Sequence, residues 1–226
     1  MNLLLAIKTL RVVPVFFLLC VFVSALFYPG GNIHDPLQEG YSITHNFLSD
    51  LGGYRSHSGL PNLTSFLIFN FSMILFILVG ISFLFIPKLF KDDILSFTIS
   101  IIGSVFLFLG TFFFAGVGLA PYDLYLDEHI FFALNAFRLL VPGLVLYFFV
   151  LMRSNVSKKY LIMIFILLFF TLSYVVYQIV SDSPLTSIEQ MVEQAIIQKI
   201  ITFVNIVCMF FLSFAFSERL KVIKLI

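Results

Sequence analysis

Between residues 41 and 62 the chain reads YSITHNFLSDLGGYRSHSGLPN, which gathers His45, Ser49, Asp50, Arg55 and His57 into one short stretch. Acids, bases and a hydroxyl at such spacing can bind a polar group, hold a metal or activate a nucleophile. The Gly52-Gly53 pair permits a close backbone approach, and Ser49-Asp50 also suits the simpler task of capping a turn. A second group follows Gly116 and Gly118, where Pro121 ends an apolar run and Asp123, Asp127, Glu128 and His129 come next. Asp127 and Glu128 fit the start of a helix through its dipole, which leaves Asp123 and His129 to be explained. Asn135 and Arg138 lie further into the same apolar run. A lipid-facing arginine at that depth costs about 3 kcal/mol or more, so Arg138 is expected to turn into the protein and meet an acid or several carbonyls, as a tie between helices or as a contact for a ligand anion. Nine residues at 100° each make half a turn, so on an unbroken helix His129 and Arg138 point apart. Both serve one site only if the helix begins after His129.

Several chemistries lack their signatures. No GxSxG surrounds Ser49, and no HxxxH or HxxE spacing sets two metal ligands on one helix turn. Cys20 and Cys208 sit in apolar runs near opposite ends of the chain, with no CxxC. No catalytic residue, metal ligand or cofactor is therefore assigned. The candidate ligand-binding set is Ser49, Asp50, Asp123, His129, Asn135 and Arg138.

The elements that hold these residues follow from composition. Of 226 residues 61% are hydrophobic and 11% charged, with mean hydropathy +1.09. A soluble domain carries about 25% charged residues, so this chain cannot cover a globule with polar surface. Net charge of +1 gives no field for nucleic acid. The expected fold is all-α, a polytopic bundle of six transmembrane helices in a single domain. The spans are 12–28, 63–86, 94–119, 130–152, 160–180 and 195–216, each long enough for a core of about 30 Å. The first is read as a retained helix, since no small-x-small cleavage site is well placed before Pro29. Of 13 basic residues, 10 fall in the two termini and the loops that share their side, whereas 9 of 12 acids fall in the opposite loops. The positive-inside rule then puts both termini in the cytoplasm and loop 29–62 outside.

Smaller expectations attach to the remaining polar residues. Asn62 is read as the cap of the second span, and Thr186-Ser187-Ile188-Glu189 as a capping box opening the sixth. Gln190, Gln194, Gln198 and Asn205 form a polar stripe on that span, with Lys199 turned away to snorkel outward. His34 and His57 are bystanders, and Asp50 is the proposed partner of His129 or Arg138.

The segments NFLSDLG, LPN and FLIFN, with G-x-x-P-x-D, EH and ALNAF, resemble a six-span prokaryotic membrane family known as domain of unknown function 998. That family is similar in pattern to the Frag/DRAM/Sfk-type membrane proteins. The matching positions are Ser49, Asp50, Gly52, Pro61, Phe69, Asn70, Pro121, Asp123 and His129. The resemblance implies six spans with a folded outer loop, and it carries no activity. The intramembrane hydrolases that use three zinc-bound histidines are a poorer match, because their signature is missing. The expected role is binding or sensing a lipid or small amphipathic ligand in an outward-facing cavity of a cell-membrane protein. An intramembrane lipid hydrolase or transferase is the first alternative and a small transporter the second. No feature of the sequence sets an oligomeric state.

Overall fold

Six apolar runs become six helical rods, and the irregular chain between the first two folds over one end of them. The computed structural model describes residues 1–224, in seven α-helices with no strand among the described residues. Helix α1 covers Leu3–Phe27, α2 Leu63–Ile74, α3 Phe76–Phe83, α4 Ile94–Leu119, α5 Leu126–Arg153, α6 Lys158–Val180 and α7 Ile188–Lys224. Taking α2, α3 and the following 3-10 turn Ile86–Phe90 as one rod, six are long and apolar enough to cross a membrane.

The ends differ from expectation where local chemistry overrides hydropathy. Helix α1 starts nine residues before Val12 because Asn2 caps it, its Oδ1 accepting the Leu5 N–H at 2.8 Å. The second span is interrupted at Leu75 by 3-10 bonding, with the Leu78 N–H on the Leu75 carbonyl at 2.9 Å. Helix α5 begins at Leu126, before His129, and runs unbroken through Pro142. Helix α7 is much longer than 195–216, and its cap lies one residue later than read. Ser187 Oγ accepts the Gln190 N–H at 3.2 Å, while the Thr186 hydroxyl donates back to Ser183. Asn62 precedes α2 without capping it.

Helices α4 and α5 pack closest along a seam of Gly103, Gly110 and Gly143. A Cβ on Gly110 would stand 2.9 Å from Leu140 Cδ2, and one on Gly143 2.7 Å from Leu107. Beside this seam the buried Tyr147 hydroxyl donates to Ser104 Oγ (2.6 Å), which donates to the Phe83 carbonyl (2.7 Å). Helix α6 is held along only part of its length. Its buried residues are Tyr160, Ile164, Leu167 and Thr171, one stripe at helical spacing, and none is buried beyond Thr171. The end of α6 nearest the 28–62 loop is therefore packed more loosely, with Tyr174 edge-on against the Phe137 ring of α5 at 4.7 Å.

At the opposite, termini end, charged side chains tie the helices together. Buried Arg219 (4% exposed) donates from Nε to the Leu89 carbonyl at 3.1 Å and pairs with Asp92. Arg153 pairs with Asp93 at 2.9 Å, and Arg11 donates to Ser213 and Ser217 at 2.9 Å each. The hydrogen bond from Arg219 holds the Asp92 carboxyl below its usual range. A depressed carboxylate stabilises the fold above its unfolded value of about 3.9, and the contribution is lost as pH falls through the folded value. Because Asp92 is half exposed, the amount is about 1 kcal/mol or less. Thermal melts in detergent between pH 5 and pH 3 should show a larger acid loss for the native chain than for Asp92→Asn. Identical slopes would remove Asp92 as a source of the acid sensitivity.

Candidate functional site

The loop-end site is built on Asn46 and Asp50, both enclosed at 0% and 4% exposure. Asn46 Nδ2 donates to the Gly31 carbonyl (2.8 Å) and to Asp50 Oδ2 (2.9 Å). Its Oδ1 accepts from the Ser42 N–H and from Gln38 Nε2. The 3-10 turn Leu48–Gly52 forms because Asp50 Oδ2 also accepts the Phe47 N–H at 2.9 Å, so this carboxylate caps its own turn. His57 Nε2 lies 3.3 Å from Asp50 Oδ1, off the line of a hydrogen bond but close enough for a charge contact when protonated. The His57 ring stacks on Tyr122 at 4.8 Å. Burial first, and then the negative charge of Asp50, push the Tyr28 and Tyr41 hydroxyls above the usual phenol range; burial likewise raises Tyr122. All three therefore remain neutral donors at physiological pH.

The turn is clamped from every side by side chains acting on backbone. Asn62 Nδ2 donates to the carbonyls of Leu51 and Gly53, Ser65 Oγ to Leu51, and Asn70 Nδ2 to Gly52. Asp123 accepts the N–H groups of Tyr54 (2.9 Å) and Arg55 (2.8 Å). From α7, Gln198 Oε1 accepts the Leu48 N–H at 2.8 Å, and Lys199 donates to the carbonyls of Asn46 and Ala195.

Under the turn lies an apolar pocket of about 100 Å³ with a wall of Phe17, Phe69, Phe76, Phe114 and Phe137. A smaller apolar pocket of about 60 Å³ continues it toward the termini end and shares Phe76, Phe114, Asn205 and Ile206. On its other side the first pocket meets a chamber of about 310 Å³ behind the loosely packed end of α6, lined by Tyr174, Tyr177, Gln178 and Gln194. Ser49, His129, Ala133 and Gln198 line both spaces and so form the neck between them. His129 Nδ1 lies 2.7 Å from the Ala120 carbonyl and must donate to it, which leaves Nε2 as the acceptor in the neutral ring. The space thus runs from a mixed polar and apolar wall beside α6 to an almost wholly apolar one beneath the turn.

Of the six residues singled out by sequence, Ser49 and His129 reach the neck, Asp50 supports it from behind, and Asp123 is a backbone clamp on the loop. Asn135 and Arg138 are not part of it. Asn135 Nδ2 bonds the Phe131 carbonyl of its own helix at 2.8 Å, and Arg138 is exposed on the outside of the bundle. The reason is the early start of α5, which places His129 on the inward face and Arg138 half a turn away. The pairing of Asp50 with His129 or Arg138 is likewise replaced by Asn46, Phe47 and His57, so His57 is no bystander. His34 instead reaches the Pro184 carbonyl at 2.9 Å. Lys199 turns toward the loop, contrary to the outward snorkelling expected of it. Asn46, Asn62, Asn70 and Tyr122 were missed as loop holders. Ser49 forms no side-chain hydrogen bond to a histidine, the contact that nucleophile activation requires. No three metal-ligating side chains converge among the described residues. No family model, curated protein or solved structure matches the chain.

Proposed function

We propose that this is a multi-pass cell-membrane protein that binds a lipid or small amphipathic molecule in the cavity beneath its folded loop. Both termini are cytoplasmic in this reading and the 28–62 loop faces outside. Six apolar rods, with basic residues gathered at the termini end, support it. The carrying observation is the chamber of about 310 Å³ beside the loosely packed end of α6, which narrows at Ser49, His129 and Gln198 into a phenylalanine-walled pocket. Ligand sites are typically 300–1,000 Å³ and mostly apolar with a few placed polar groups. An amphipath entering sideways from the outer leaflet sets its head in the chamber and a short apolar portion past the neck. The rest of its chain stays in the bilayer beside α6.

The test is lipid retention. Purified protein, delipidated in detergent and examined by native mass spectrometry, should keep about one lipid per chain. Ala133→Trp fills the neck and should lower retention at least tenfold without changing the melting temperature by more than a few degrees. Arg138→Leu, outside the cavity, should retain lipid as the native chain does. Equal retention by folded Ala133→Trp would overturn the reading.

A further inference from the structure

We infer that the head received by the chamber is uncharged and hydroxyl-bearing, in the class of acylglycerols and sugar-headed lipids, and is not a phosphate. The inference rests on the cavity reading above. A phosphate site is made from arginine, lysine or a concave run of backbone N–H groups. The chamber lining contains no lysine or arginine. Lys199, the adjoining cation on α7, is occupied by the Asn46 and Ala195 carbonyls and lies over the Tyr41 ring. The charge that is present has the opposite sign. Asp182 belongs to the lining, and Glu193 stands beside the Tyr177 hydroxyl.

What the wall does offer is a mixture of donors and acceptors. The Tyr177 hydroxyl and Gln178 Oε1 are buried with no partner at full hydrogen-bond geometry, Glu193 lying close to the first and Tyr174 close to the second, so a ligand hydroxyl would complete bonds these neighbours leave imperfect. Gln198 uses only its Oε1 on the loop, which frees its amide N–H groups, and Gln194 uses only its Nε2, on the Asp182 carbonyl. His129 Nε2 adds an acceptor at the neck. A phosphate oxygen only accepts and an ammonium only donates, so each leaves part of this wall unpaired. A hydroxyl does both: it can accept from Tyr177 while its one hydrogen goes to Gln178 or to His129. A wall built to bond a hydroxyl discriminates strongly against a head that cannot, because its own buried groups are then left unpaired.

The experiment compares four dioleoyl lipids in nanodiscs made with the full chain: dioleoylglycerol, a monoglucosyl form, phosphatidylglycerol and phosphatidylcholine. Retained lipid is read by native mass spectrometry after detergent extraction. The two uncharged heads should be retained at least tenfold over the two phosphate heads. The double variant Tyr177→Phe with Gln178→Leu should cut that preference below threefold while total lipid retention stays the same. Both positions lie on the loosely packed end of α6, and a thermal melt checks that the variant is folded. Phosphate heads retained as well as or better than the uncharged ones would overturn the head assignment and leave the cavity reading standing. No retention of any of the four, with Ala133→Trp indistinguishable from native, would bring down the cavity reading itself.

Discussion

Asp50→Ala should cost about 3 kcal/mol and release the loop from the bundle. The carboxylate is almost fully enclosed and accepts two short hydrogen bonds, from Asn46 Nδ2 and the Phe47 N–H, with His57 at its other oxygen. Hydrogen bonds to a charged group contribute about 1.5–3 kcal/mol each, and removal of the acceptor leaves buried donors unanswered. Asn46 would keep its bond to Gly31, but the Phe47 N–H would have nothing in its place. The 3-10 turn would lose its cap, and with it the register that brings Leu48 to Gln198 and Ser49 to the neck. Limited proteolysis within residues 41–60, followed alongside a thermal melt in detergent, reads both effects. Asp50→Asn keeps one accepting oxygen and should fall between the two. A melt for Asp50→Ala within a degree of native would show that the clamps from Asn62, Asn70 and Asp123 suffice without the cap.

Gly31→Ala should cost a similar amount by a different route, about 2–5 kcal/mol. Gly31 sits at φ +81°, in the left-handed region where a Cβ costs about 1–2 kcal/mol. The added methyl would also meet the backbone of the 56–59 turn, touching the Ser58 nitrogen and lying 2.6 Å from the His57 carbonyl carbon. Backbone cannot swing aside as a flexible side chain does, and overpacking of this kind costs a further 1–3 kcal/mol or so. The displaced turn carries His57 away from Asp50 and off the Tyr122 ring. Gly40 is the control: it has φ +60° with nothing within 4 Å, so Gly40→Ala should lose only the left-handed cost. Equal losses at Gly31 and Gly40 would show that no contact with the 56–59 turn matters. Because Gly31 and Asp50 hold one hydrogen-bonded unit through Asn46, the double variant should lose less than the sum of the two.

The rods were readable from hydropathy because a span needs only length and apolar character, and α4 matches its expected bounds of 94–119. Their ends were less so. Asn2 lengthens α1 and Ser187 opens α7 through single side-chain caps, which apolar averages do not register. Ser49 and His129 come to line the cavity because polar residues at one end of a bundle have few places to go. Arg138 was assigned inward from the cost of exposure alone, although the half-turn between it and His129 was already countable; only one of the two could face in. The loop clamps were illegible for another reason. Asn62, Asn70 and Asp123 act on backbone groups, so the residues they hold carry no matching signature. The bond between Leu48 and Gln198 joins positions 150 apart in the chain.

That last bond, with those from Lys199 to Asn46 and from His34 to Pro184, sets an order of events during synthesis. The loop emerges after α1, yet three of its anchors lie beyond residue 180, in the connection between α6 and α7 and in α7 itself. The segment made second must therefore wait for α7. Until α7 arrives, the cavity lacks its Gln198 wall, and the turn above it lacks the bonds from Gln198 and Lys199. A chain stopped after α6 would hold five spans, with the cavity beneath the loop open on the side that α7 closes.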